Sequence, residues 1–243
     1  MIKWVRLATL FGALAALLAV TCDLDPQRDL ELASRALTGR DYDQALRLGG
    51  LALHLGSLGA EDQARAHRLR ASAALALGNA AFAREELDQA ITRLPQNPLA
   101  YFARGELRLA GNDAAGALAD LDRGLALAHP GGPPWPAGLA GRLAQRGQAA
   151  LALGRWDEAA AAADTALGLN PNLALGYYLQ SGVLEARGQP LPALVAMERA
   201  WALAERGGFS SFFLSPQGQT WLHRLVELRM KNHVDPQKPY RGS

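Results

Sequence analysis

The sequence predicts an all-α chain of stacked helical hairpins, an α-solenoid, and three observations predict it. Helix-forming Ala and Leu dominate, while aromatic residues make up only 7% of the chain. Small residues recur at Ala45, Ala83, Ala117, Ala159 and Ala193, at spacings of 38, 34, 42 and 34 residues. Around each lies one skeleton: a turn, the Ala, a small residue seven later and a closing Leu, with a large apolar residue four after the Ala at Leu87, Leu121 and Met197. The copies read GRDYDQALRLGGLALHL, GNAAFAREELDQAITRL, NDAAGALADLDRGLALAHP, GRWDEAAAAADTALGLNP and GQPLPALVAMERAWAL. A period of this length marks units that bury their apolar faces only by stacking on their neighbours.

Residues 1–22 read MIKWVRLATLFGALAALLAVTC. Lys3 and Arg6 precede an uncharged, mostly apolar run from Leu7 to Val20, which is a secretory signal pattern. Counted from Trp4, the run also reaches about the lower limit for a membrane span. Basic residues before it favour a cytoplasmic N-terminus and an exported body. Cys22 follows after Thr21 and is the chain's single Cys, so an internal disulfide framework and multi-cysteine metal sites are excluded. The segment resembles the lipobox of bacterial lipoproteins, with small Ala19 in place and Thr21 departing from the usual Gly, Ala or Ser. That resemblance implies lipidation at Cys22. An uncleaved anchor, an ordinary cleaved signal and a buried N-terminal helix remain open alternatives. Asp23 resembles an inner-membrane retention signal of some bacteria. The expected location is the bacterial cell membrane, inner rather than outer, with the body in the periplasm. Without residues 1–21 the chain has 23 basic and 23 acidic residues. A neutral body argues against nucleic acid as a partner.

The repeated skeleton resembles the tetratricopeptide repeat (TPR), a 34-residue helix–turn–helix. Repeats then lie near 26–59, 64–97, 98–131, 140–173 and 174–207, within a solenoid over 23–207. The small residue of the first helix falls on Ala33, Ala71, Gly105, Gly147 and Ser181. The small residue late in the second helix falls on Ala52, Ala90, Gly124, Ala166 and Ala200. Such residues let two antiparallel helices approach closely. Pro95 and Pro171 stand where second helices must end. The family's early aromatic survives as Tyr101 and Tyr177 but is replaced by Asp29, His67 and Leu143 elsewhere. The first repeat is therefore the weakest match and partly a cap. The resemblance implies a right-handed solenoid of about five such hairpins.

Two insertions interrupt the period, one around Gly56–Gln63 and one from His129 to Gly138. The second carries Trp135, which either covers a seam between repeats or contacts a partner. Residues 208–243 supply a capping helix and a polar tail. Trp221, Leu222, Leu225, Val226 and Met230 share one face of a predicted helix from Gln219 to Lys231. Phe209, Phe212 and Phe213 pack under that helix or form an exposed patch. The tail from His233 onward is expected to be irregular.

No catalytic constellation is present: no H-E-x-x-H, no G-x-S-x-G, and no Walker or Rossmann glycine pattern. His54, His67, His129, His223 and His233 have no i, i+4 pairing and read as surface or cap residues. The sequence therefore predicts no enzyme, no cofactor and no metal site. The resemblance implies a concave groove lined by the first helices. Its candidate residues here are Arg65, Arg68, Ser72, Phe102, Glu106, Gln145, Gln148, Tyr178 and Glu185. Phe102 and Tyr178 have an alternative reading as packing between repeats. Family members that grip a C-terminal carboxylate use Lys and Asn at fixed positions, which carry Arg68, Phe102 and Ala144 here, so that clamp is absent.

The groove suits an extended segment or helix of another protein. The function expected is a membrane-tethered, periplasm-facing scaffold or assembly factor for envelope proteins. The alternative is a permanent accessory subunit of a respiratory or photosynthetic membrane complex.

Overall fold

The structure, a computed structural model, describes residues 25–128, 138–206 and 216–234, and these are helical with no strand among them. The helices are α1 (Pro26–Thr38), α2 (Tyr42–His54), α3 (Ala60–Ala76), α4 (Ala80–Arg93), α5 (Pro98–Ala110) and α6 (Ala114–Leu127). They continue as α7 (Leu139–Ala152), α8 (Trp156–Leu169), α9 (Ala174–Ala186), α10 (Pro190–Arg206) and α11 (Pro216–Lys231). The all-α hairpin fold read from the sequence is the fold observed. Cys22, Trp135, Phe209, Phe212 and Phe213 lie outside the described residues.

The same turn closes each of the hairpins α1–α2, α3–α4, α5–α6, α7–α8 and α9–α10. Arg40, Gly78, Asn112, Gly154 and Gly188 all take positive φ, between 61° and 80°. The next residue's N–H then bonds back to a carbonyl five residues earlier, as in Asp41 to Ala36, Asn79 to Ala74 and Arg155 to Ala150. This is the Schellman ending, which satisfies carbonyls the first helix leaves open. Asp41, Asn79 and Asp113 then cap the second helices, accepting from the N–H of Gln44, Phe82 and Gly116. Pro95 and Pro171 follow the last helical residues Arg93 and Leu169 by two positions.

All the small residues of the repeated skeleton are buried. Gly147 shows why they must be small. A Cβ built there would stand 2.3 Å from Leu179 Cδ2 and 2.9 Å from the Cβ of Ala162.

The chain falls into two compact units, Met1–Ala103 and Arg104–Ser243, which divide within α5. In the first unit α1, α2 and α3 pack on one another around Leu30, Ala52, Leu58 and Ala66. The inserted residues 56–63 are only partly loop. From Ala60 on they form an extra first turn of α3, and Leu58 is buried beneath it. Gln63 Nε2 donates to the Leu58 carbonyl at 2.8 Å. Between α3 and α4 lies Glu86, buried, with His67 Nδ1 at 2.8 Å and Arg70 Nη1 at 3.0 Å. His67 was expected at the surface. It is instead a buried residue of the hairpin seam, where its ring nitrogen satisfies a carboxylate.

In the second unit the seam of α5 and α6 holds Asp120, gripped by Arg104 through Nε at 2.9 Å and Nη2 at 2.7 Å. Arg108 adds a contact at 2.8 Å. Next come α7–α8 and α9–α10, each second helix also touching the following first helix. Residues of α11 pair with α9 in rising order, Trp221 with Tyr178 and Lys231 with Glu185. Against α10 the order falls, Arg229 pairing with Glu198 and Asn232, just after the helix, with Pro190. So α11 runs parallel to α9 and antiparallel to α10, as the first helix of a further repeat would. Its buried face is Trp221, Leu225 and Leu228, and Met230, expected on that face, is 62% exposed. The helix also starts three residues earlier than expected. That lead-in does not alter the face, which follows from a 3.6-residue period running through Leu228.

Candidate functional site

Within the second unit, side chains from four helices surround a groove of about 800 Å³. Glu106, Leu109 and Ala110 come from α5 and Asn112 from the turn after it. Gln145 and Gln148 come from α7, Leu175 and Tyr178 from α9, and Thr220 and Trp221 from α11. The placement follows from helix period. On α7, Ala140, Ala144, Gly147 and Ala150 are buried, which leaves Gln145 and Gln148 on the open side.

The polar groups at one side form a network. Arg142 Nη1 donates to Glu106 Oε1 and, at 2.9 Å, to Gln145 Oε1. Gln145 Nε2 donates to the same Glu106 oxygen at 2.7 Å. Glu106 remains exposed and keeps acceptor capacity. The other side is aromatic. Tyr178 and Trp221 stack with ring centroids 4.5 Å apart and planes within 3°. Arg224 lies over Tyr178 at 5.3 Å. Gly182 makes room for it, since a Cβ there would meet Leu151 Cδ2 at 2.4 Å and Arg224 Nη2 at 3.2 Å.

Glu185, expected in the groove, holds the last helix in place. It pairs with Arg224 at 2.9 Å and Lys231 at 2.6 Å. Burial alone would raise its carboxyl. The hydrogen bond from Lys231 and the charges of Arg224 and Lys231 outweigh that and hold it below the usual range. The same hydrogen bond and the Glu185 charge raise Lys231.

The structure thus brings Glu106, Gln145, Gln148 and Tyr178 to one groove and places Glu185 on the α11 tether. Phe102, also expected to line a groove, is fully buried and has no surface to offer. Its alternative reading as packing fits that burial. Arg65, Arg68 and Ser72 belong to α3 in the first unit. Trp221 and Thr220 were missed as groove residues. Trp221 was read only as an apolar face of a cap, and nothing local in the sequence says that α11 docks parallel to α9. What the groove offers chemically is amide and carboxylate hydrogen bonding beside an aromatic wall. Among the described residues no group of three His, Cys, Asp or Glu could hold a metal ion.

No family model matches the chain. A segment of 98 residues is 39% identical to tetratricopeptide repeat protein 36 of Bos taurus. It covers 40% of this chain and 50% of that protein, so the match spans about half the relative's length. Among solved structures, MamA aligns with a TM-score of 0.59 at 17% identity over 76% of this chain and 95% of that one. YrrB, described as a TPR protein with an unusual peptide-binding site, aligns at 0.62 and 16% identity over 85% of this chain and 95% of its own. PilW, a type IV pilus biogenesis factor, aligns at 0.61 and 19% identity, covering 83% and 92%. At these identities the likeness is one of fold, and the fold is that of tetratricopeptide-repeat proteins.

Proposed function

From the tetratricopeptide-repeat fold as premise, we propose that the chain is a non-enzymatic protein–protein interaction scaffold, tethered to a bacterial membrane and facing the periplasm. It would hold or assemble other envelope proteins. The observation that carries the interaction reading is the groove of the second unit. Its amides Gln145, Gln148 and Asn112 match the donors and acceptors of a peptide backbone, and Trp221 and Leu175 offer an apolar wall to side chains. The tether rests on Lys3, Arg6, the apolar run and Cys22. The peptide-binding and pilus-biogenesis descriptions of YrrB and PilW support the reading by analogy of fold.

The test places a photo-crosslinking residue at Gln148, and as a control at Val195, exposed on α10. Both forms are crosslinked in native membranes. A defined partner captured from Gln148 and not from Val195 supports the reading. Equal capture from both, or none from Gln148, overturns it. Intact mass from the same preparation addresses the tether. A mass starting at Cys22 plus acyl groups is expected, and a mass starting at Met1 would leave a single-pass anchor. Partners that stay bound at high salt would favour the permanent-subunit alternative.

A further inference from the structure

On α3, in the first unit, Arg65 and Arg68 stand one turn apart. Ala64, Ala66, His67, Ala71, Ala73 and Ala74 face inward, so the remaining stripe runs Glu61, Arg65, Arg68, Ser72 and Leu75. Arg68 differs from Arg70, which is packed into the α3–α4 seam. Arg70 lies beside it in sequence and reaches Glu86 at 3.0 Å. The Nε of Arg68 is buried without a hydrogen-bond partner, as is that of Arg70, but Arg68 alone of the two meets no carboxylate among the described residues. Burial, and the neighbouring charge of Arg65, push the Arg68 guanidinium below its usual value, and no anion offsets them. Keeping a cation partly desolvated, unpaired and beside a second cation is unfavourable in the free protein. A ligand that supplies the missing charge removes the penalty.

We propose that Arg65 and Arg68 on the open stripe of α3 form an anion site that takes the Asp or Glu side chain of an acidic segment in a partner protein. A guanidinium donates two parallel N–H bonds to a carboxylate, and the fork geometry suits this better than a point charge would. A polyanion is disfavoured. The stripe carries two cations, Glu61 stands at its end, and the body outside residues 1–21 has equal numbers of acidic and basic residues. Leu75, 40% exposed two turns beyond Arg68, would seat an apolar residue of the same segment. This inference goes beyond the groove of the second unit and can fail without it.

The test uses the full chain and three short fluorescein-labelled peptides. One holds Asp-Glu-Asp followed by Leu, with an amidated C-terminus. One replaces the acids with Asn-Gln-Asn. One has the neutral body and a free C-terminal carboxylate. The first is expected to bind, about tenfold or more tighter than the second. Binding should fall by a similar factor in Arg68→Met and by less in Arg65→Gln, and should weaken with salt. Preference for the third peptide would move the source from a side chain to a chain terminus and overturn the acidic-segment assignment. So would tighter binding of a single-stranded oligonucleotide or of anionic vesicles. No binding of the first peptide at millimolar concentration, or equal binding by Arg68→Met, would overturn the site itself. A second readout needs no ligand. Arg68→Met should raise Tm by about 2 °C or more, because an unpaired charge is removed. A fall in Tm would assign the guanidinium a structural role instead.

Discussion

The hairpins α3–α4 and α7–α8 solve one packing problem in two ways. Both follow the same skeleton, with small residues Ala71 and Gly147 in the first helix and Ala83 and Ala159 anchoring the second. Three residues after the anchor they diverge. In α3–α4 that position is Glu86, buried and held by His67 and Arg70. In α7–α8 it is Ala162, whose Cβ leaves no space for a side chain at Gly147. The hairpin α5–α6 follows the first solution, with Asp120 gripped by Arg104 and Arg108. The hairpin α9–α10 follows the second, with Ala196. A repeat therefore needs its small residues for approach, while the filler of the seam can be a satisfied polar network or bare contact.

The largest expected effect breaks the polar solution. Glu86→Ala removes the acceptor of buried His67 and half-buried Arg70 and should destabilise the chain by about 3 kcal/mol, read by urea unfolding. A loss below about 1 kcal/mol would mean the network contributes little and the two hairpins are held alike. Next is the bare solution. Gly147→Ala must displace the Cβ of Ala162 and should cost about 1–3 kcal/mol. Gly141→Ala on the same helix meets nothing within 4 Å, so it should be neutral or stabilising by up to about 1 kcal/mol. If both changes behave alike, close approach is not what Gly147 serves.

A smaller effect tests the turns. Arg40 takes φ of 63° where Gly78, Gly154 and Gly188 stand in other repeats. Arg40→Gly should stabilise the first hairpin by about 1 kcal/mol in thermal unfolding. The smallest concerns the α11 tether. The carboxyl of Glu185 is held below its unfolded value. Its contribution is present above that unfolded value and is lost as pH falls through the folded one. Lys231 is raised, so its contribution is present below its unfolded value and lost as pH rises through the folded one. Glu185→Gln should flatten the acid limb of the stability–pH curve, and an unchanged limb would show that this pair does not couple α11 to folding.

Much of the fold was legible because its cause is local and repeated. Small residues at Ala33, Ala71, Gly105, Gly147 and Ser181 recur at one place in the repeat, where two helices touch, and all are buried. Pro95 and Pro171 forbid helix, and the Asp41, Asn79 and Asp113 caps begin the next one. Four groove residues, Glu106, Gln145, Gln148 and Tyr178, were legible from their place in the repeat. The rest depended on partners distant in the chain. His67 looks like a surface histidine until Glu86, 19 residues on, is folded against it. Phe102 and Tyr178 sit at similar places in their repeats, yet one is swallowed by packing and the other is left open to stack on Trp221.

By itself, then, the sequence determined helix, turn and close approach, because period, proline and residue size act over a few residues. Only the tertiary structure decided that α11 lies parallel to α9 and lends Trp221 to the groove. Only it decided that Glu185 is tied to Arg224 and Lys231 while Arg68 is left without a carboxylate. Those outcomes depend on which charges and rings meet across many residues of chain, and side-chain pairing at that range has no local signature.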